Sequence, residues 1–166
     1  KAIGGTPVAT GKAISEKSSL QCLAVFACVR VLSESIASLP LLLYQRLNGG
    51  GKERAAGHRL YPLLHLQPNP EMSSMAYREA LVGHIELWGN HYSYIERDNG
   101  GRVLGLWPMR PDAMESIRRI SPGHLEYLYR LPSGESRILA ADHIMHIRGL
   151  AHDGIMGYSP IRQARE

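Results

Sequence analysis

The chain has two cysteines in 166 residues, and both fall in one helical stretch. Cys22 and Cys28 would sit about 240° apart round a helix at 100° per residue, so they cannot bridge each other. The reading that remains is two small buried apolar residues. A chain without a disulfide framework fits a reducing compartment. Long apolar runs are also missing. The run from Cys22 to Val29 is far short of the roughly 20 residues a bilayer span needs. Arg30 and Glu34 then interrupt the same helix, which argues against a membrane protein. Clustered positive charge is absent as well. The net charge is +4, but the basic residues are scattered apart from Arg118 with Arg119 and Arg162 with Arg165, so no focused nucleic-acid face is expected. The first 17 residues lack the apolar core of a signal peptide and read as a Gly-rich flexible arm. No internal repeat is visible.

What is present is the material of one soluble domain, with 44% apolar and 20% charged residues. A chain of this length can bury about two-thirds of its unfolded surface. The richest segment runs from Leu20 to Tyr44. Leu20, Ala24, Ala27, Val31 and Ser35 form one helical stripe, and Leu23, Phe26, Val29, Leu32 and Ile36 form a second beside it. Two adjoining apolar stripes predict a helix packed between layers, in which Val31→Asp would unfold the domain and hydrogen exchange would be slowest. Arg30 and Glu34 are spaced to pair. After Pro40, Leu41 to Gln45 reads as a strand, Asn48 to Gly51 as a turn, and Lys52 to Ala55 as its returning partner.

Further on, Leu60 to Leu66 holds one or two helical turns, stopped at Gln67-Pro68-Asn69-Pro70. Ser73 or Ser74 caps a second long helix carrying Tyr77, Leu81, His84, Ile85 and Trp88. Gly89-Asn90 ends it. The pattern then becomes β: His91 to Arg97, a turn at Asp98-Asn99-Gly100-Gly101, Val103 to Trp107, a bend at Pro108 and Pro111, Met114 to Arg118, His124 to Arg130, Arg137 to Leu139 and Ile144 to Ile147. Ser159-Pro160 opens a last helix that runs to Glu166. The fold class is α+β, two long helices with antiparallel hairpins. Its expected divisions are an arm over 1–17, a domain over 18–158 and the start of a cut helix over 159–166.

Candidate chemistry is sparse. His143, His146, His152 and Asp153 suggest a metal-dependent hydrolase, but a strand through DHIMHI would send His143 and His146 to opposite faces, and no HExxH completes the set. His84 and His91 would pair only if the helix ignored Gly89-Asn90. Gly49-Gly50-Gly51-Lys52 lacks the hydroxyl residue of a phosphate loop, since Glu53 stands there. Gly157-Tyr158-Ser159-Pro160 lacks the second glycine of a nucleophile elbow. The pairs Asp112 with Glu115 and Glu96 with Asp98 lie at strand ends or turns, where solvated charge is ordinary. Trp88, Tyr92, Tyr94 and Trp107 gather near one helix-to-hairpin junction, either as core or as a subunit contact. No residue is therefore assigned as catalytic, cofactor-binding or metal-ligating.

The segment AVFACVRVLSESIASLPLLLYQR resembles the start of the portal proteins of tailed bacteriophages, in the large family of siphophages and prophages. The stretch from His58 to Asp112, LAADHIMHIRGL from Leu139 and GIMGYSPIRQARE from Gly154 continue the likeness in the same order. The resemblance implies a subunit of a closed ring, usually of twelve copies, at one capsid vertex. Viral DNA is packaged and ejected through that ring, and the tail attaches to it. The implied partners are other copies of the chain, the packaging terminase motor, the major capsid and scaffold or protease proteins, head–tail connector proteins, and double-stranded DNA held non-specifically; no membrane is involved. The implied locations are the virion vertex and, during assembly, the host cytoplasm. Family subunits are about twice this length or more. This chain would be the outer, wing-like part, with channel helices and most subunit contacts in the remainder. The family needs no cofactor and no catalytic residue, because the motor supplies the chemistry. Alone, the chain is expected to be monomeric or weakly associated.

Overall fold

The computed structural model describes residues 15–151 and 153–164. Most of residues 1–17, expected to form an arm, lie outside this range. The folded part starts earlier than the expected boundary, because Ser15 caps a short helix, α1 (Glu16–Ser19), through a capping box with Ser18. Glu16 and Ser19 are buried, and a buried carboxylate is not part of a loose arm.

Two long helices follow, α2 (Leu23–Ala37) and α4 (Ser74–Trp88), which pack on each other. Between them come a hairpin, β1 (Tyr44–Arg46) with β2 (Lys52–Arg54), and the short α3 (Leu60–His65). Leu41 to Leu43, expected in the strand, precede it. The Gly run is the hairpin turn, with Gly50 and Gly51 both at positive φ. Ser73 accepts a hydrogen bond from the Ala76 amide, and Gly89 closes α4 at φ 74°.

The β half forms two three-stranded antiparallel sheets. One has the order β4 (Val103–Met109), β3 (Asn90–Arg97), β8 (Ile144–Arg148); the other is β5 (Met114–Ser121), β6 (His124–Arg130), β7 (Ser136–Ala140). Asp98 Oδ1 accepts from the Gly100 and Arg102 amides and so fixes the β3–β4 turn. Strand β4 continues through Pro108, which pairs with Ser93. The final short helix, α5 (Pro160–Gln163), is capped by Ser159.

Alternation along β3 divides its neighbours. Tyr92 meets Tyr127 of the second sheet edge-on, with ring centroids 6.2 Å apart. With Met109 and Ile144 they make the buried core between the sheets. His91 and Ser93, on the opposite face, meet Tyr77 and His84 of α4. The order of layers is α2, α4, first sheet, second sheet.

The main correction concerns α2. It is not packed between layers. Only Ser33 and Ala37 are buried, while Leu23 is 80% and Val31 60% exposed. The helix touches α4 through a narrow stripe of small residues, where Ser33 lies opposite Gly83. The Arg78 guanidinium holds its C-terminal end by donating to the Ala37 carbonyl at 2.8 and 3.1 Å. Apolar periodicity marks a face as apolar without saying whether a neighbour in the same chain covers it. Val31→Asp is therefore not a core substitution here. Cys22 and Cys28 are likewise exposed and not buried, so their burial gives no argument about compartment.

Candidate functional site

The best-built polar site lies where α4 ends and β3 begins. Gly89 lets the chain reverse, so β3 runs back beside the helix. This places His91 against His84 although the helix stops at Trp88, a pairing that the sequence reading tied to an unbroken helix. Their rings stack at 5.1 Å with the two Nδ1 atoms 3.0 Å apart. His91 Nε2 lies 2.8 Å from Ser93 Oγ, which lies 2.8 Å from the Tyr77 hydroxyl. One direction of donation satisfies the whole chain. Tyr77 donates to Ser93, Ser93 to His91 Nε2, and His91 Nδ1–H to His84 Nδ1. Burial holds His84 down to about 4 and His91 down to about 3, and pushes Tyr77 up to about 12. Nitrogen-15 NMR at pH 7 should show His91 as the Nδ1–H tautomer. An Nε2–H tautomer would contradict this direction.

A second set surrounds Asn90. Its Oδ1 accepts from the Gly157 amide at 2.8 Å and from His146 Nε2 at 3.0 Å. Its Nδ2 donates to the Gly157 carbonyl at 2.9 Å and the Trp88 carbonyl at 3.1 Å. These bonds fasten the 149–159 segment to the α4–β3 junction. Ser159 adds a bond to the Leu87 carbonyl at 2.7 Å. Arg162 reaches the buried Glu16 carboxylate at 2.6 Å, joining α5 to α1. Arg162→Ala leaves that carboxylate without its cation and should cost about 1–3 kcal/mol. Faster amide exchange confined to residues 15–20 would show it; unchanged exchange there would contradict it.

The enzyme-like candidates do not converge. His143 sits in a 3-10 turn and stacks on Tyr94 with centroids 6.0 Å apart, while His146 lies 4.4 Å from the Tyr92 ring. Tyr92 and Tyr94 share a face of β3, so the expected opposite-face separation does not hold: His143 is not in the strand. Each ring is instead occupied by its own tyrosine. His152 lies outside the described residues, among which no three metal-type ligands gather. Asp112 pairs with Arg110 and Lys17, which hold its carboxyl down to about 2. Glu115 pairs with Arg130, and Glu96 accepts from the Trp107 indole. The Trp88, Tyr92, Tyr94 and Trp107 group is no single cluster. Trp88 meets His84 edge-on on the helix side, and Tyr92 lies in the inter-sheet core. Arg118 pairs with Glu126. Arg165 lies outside the described residues.

The site thus belongs to an α+β domain in which His84, His91, His146, Asn90 and Ser159 are engaged in internal hydrogen bonds. Comparison with known proteins gives it a family. Residues 23–166 match the phage portal protein model, and the chain belongs to that family. It is 43% identical over 102 residues to Protein BeeE of Escherichia coli K12, covering 61% of this chain and 64% of that protein. It is 29% identical over 149 residues to the portal protein of Enterobacteria phage HK97, covering 89% of this chain and 34% of that one. A chain in the neck of an empty GTA particle, computed with C6 symmetry, has the same fold at TM-score 0.74 and 26% identity, covering 97% of this chain and 44% of that one. The chain thus spans between a third and two-thirds of the length of these curated relatives.

Proposed function

We propose that this chain is the outer, wing-like part of a portal subunit. In this reading copies form a closed ring, expected to be of twelve, at a capsid vertex. Double-stranded DNA passes through the ring during packaging and ejection, and the tail joins there. Terminase, capsid, scaffold and connector proteins are its partners, in the host cytoplasm during assembly and in the virion afterwards. The family match over residues 23–166 carries the reading. The main domain is taken as residues 18–158, with α1 joined to α5 through the Glu16–Arg162 pair.

The described site supports a structural role. His84, His91, His146, the paired carboxylates and Ser159 are engaged in internal bonds, and among the described residues no nucleophile is paired with a free base. We therefore expect no metal-dependent hydrolysis. Stoichiometric zinc that is lost on His146→Ala would contradict that. The basic side chains Arg30, Arg110, Arg118, Arg130 and Arg162 are each paired with a carboxylate. DNA contact should therefore be weak, sequence-independent and steeply reduced by salt. Tight sequence-selective binding at physiological salt would contradict it. The assembly itself is tested by light scattering of the 166-residue chain and of the natural gene product containing it. The chain should be monomeric or weakly associated, and the gene product a large closed oligomer. A gene product that stays monomeric would count against the portal reading.

A further inference from the structure

We infer that Asn48 is a site of spontaneous covalent modification, at which the side-chain amide is lost as ammonia, and that Asp98 protects the equivalent Asn99 from the same reaction.

The reaction requires the backbone nitrogen of the following residue to lose its proton and reach the asparagine Cγ. The chain has four asparagines. Asn69 precedes Pro70, whose nitrogen carries no proton. Asn90 is buried, and both of its side-chain polar atoms are bonded. Asn48 and Asn99 each precede a glycine, whose missing Cβ leaves the approach open. Both are exposed, so exposure does not separate them.

The two stand in turns built alike. Asn48 is second in Leu47-Asn48-Gly49-Gly50, and Asn99 is second in Asp98-Asn99-Gly100-Gly101. The Gly50 amide donates to the Leu47 carbonyl at 3.1 Å, as the Gly101 amide does to the Asp98 carbonyl at 3.0 Å. The fourth residue has positive φ in both, 89° and 78°. The first residue makes the difference. Asp98 Oδ1 accepts from the Gly100 amide at 2.8 Å. That bond holds the proton on the nitrogen that must release it, and the carboxylate charge opposes the nitrogen anion. Leu47 offers no such oxygen, and the Gly49 amide donates to no group among the described residues. The Asn48 turn is also closed less tightly. Its Leu47 amide lies 3.3 Å from the Gly51 carbonyl oxygen, against 2.9 Å from the Asp98 amide to the Arg102 carbonyl oxygen.

In the reaction the Gly49 nitrogen gives its proton to hydroxide and bonds to Asn48 Cγ. The Cγ–Nδ2 bond breaks, and the leaving nitrogen takes a proton from water and departs as ammonia. A cyclic imide remains. Water opens it at either carbonyl, giving aspartate or isoaspartate, and nothing is oxidised or reduced. Either product adds a carboxylate at the tip of a hairpin whose strands carry Arg46, Lys52 and Arg54. Isoaspartate also inserts a backbone carbon within the turn, against the Leu47–Gly51 closure.

The chain is incubated at pH 8 and 37 °C, digested briefly with trypsin and followed by mass spectrometry. Residues 47–52 and 98–102 fall in separate tryptic peptides, and the converted form is heavier by the exchange of NH2 for OH. Asn48 should convert about tenfold faster than Asn99, the size of effect that one hydrogen bond to a charged group carries. In urea, where both turns are lost, the two should convert at similar rates. Leu47→Asp should slow Asn48, and Asp98→Ala should speed Asn99, each toward the rate of the other turn. Equal rates in the folded chain, or an Asn48 that stays intact while the urea sample converts, would overturn the inference. Conversion at Asn48 undiminished by Leu47→Asp would overturn the protective role of Asp98.

Discussion

Acidifying the protein from pH 7 to pH 4.5 is expected to remove much of its stability, and the buried histidines are the cause. His91 is fully buried, and its Nδ1 atom faces that of His84 at 3.0 Å. That spacing allows one hydrogen between the two nitrogens. A second would set two cationic N–H groups against each other. The folded state holds His84 near 4 and His91 near 3, against 6.5 for a free histidine. The unfolded chain therefore binds more protons below pH 6.5. Stability is fully present above that value and is lost as the pH falls toward the folded values. Each of the two should contribute a loss on the order of 2–3 kcal/mol by pH 4.5. Burial lowers His146 as well, which adds to the loss in the same direction. Asp112, held down to about 2, gives up its contribution only below about pH 4, so the two windows separate. A domain stable by about 5–15 kcal/mol should thus approach unfolding before its carboxylates protonate. Urea titrations followed by circular dichroism from pH 7.5 to 4.5 measure this. His84→Leu should lower stability at pH 7.5 and flatten the slope below pH 6.5. A wild-type midpoint that is level from pH 7 to pH 5 would contradict the assignment.

Gly157→Ala is expected to cost several kcal/mol, far more than most glycine substitutions. A Cβ at Gly157 would lie 1.9 Å from the Gly89 carbonyl oxygen, and one at Gly89 would lie 2.0 Å from the Tyr158 carbonyl oxygen. Both obstacles are backbone, so no side chain can turn aside. The two segments would have to separate, which would strain or break the two bonds between Asn90 and Gly157 and the Ser159 bond to Leu87. Overpacking alone costs about 1–3 kcal/mol, and each buried polar group left unpaired adds about 1–3 kcal/mol. Gly49→Ala serves as the control, because nothing lies within 4 Å of its Cβ position, and should change stability by less than about 0.5 kcal/mol. Denaturant midpoints of the two variants would decide the matter. Similar midpoints would mean that the Gly89–Gly157 crossing is not needed.

The same crossing shows where the sequence could not be read. Gly89-Asn90 was legible as a helix stop, because an αL-capable residue after an apolar period has a local meaning. Its second role, meeting Gly157 across the fold, has no local signal. The capped helix α4, the turn at Asp98 and strand β6 follow from short-range rules and match their expected positions closely. His84 and His91 were missed as a pair because seven residues, a helix end and a reversal separate them. The exposure of α2 was misread for a different reason. Leu23, Phe26 and Val31 have the spacing of a core helix, and only the remaining surfaces of the protein or its partners decide what covers them. The same ambiguity left Cys28 looking like a core residue when it lies on an outer face.

The central claim is that residues 15–164 form the periphery of a portal ring, and electron microscopy of the natural gene product tests it most directly. A bulky tag inserted at the exposed Gly49–Gly50 turn marks the position of this domain. Closed, rotationally symmetric rings are expected, with the added density repeated round the outer edge. Monomers, open filaments, or rings with the tag density inside the central channel would contradict it.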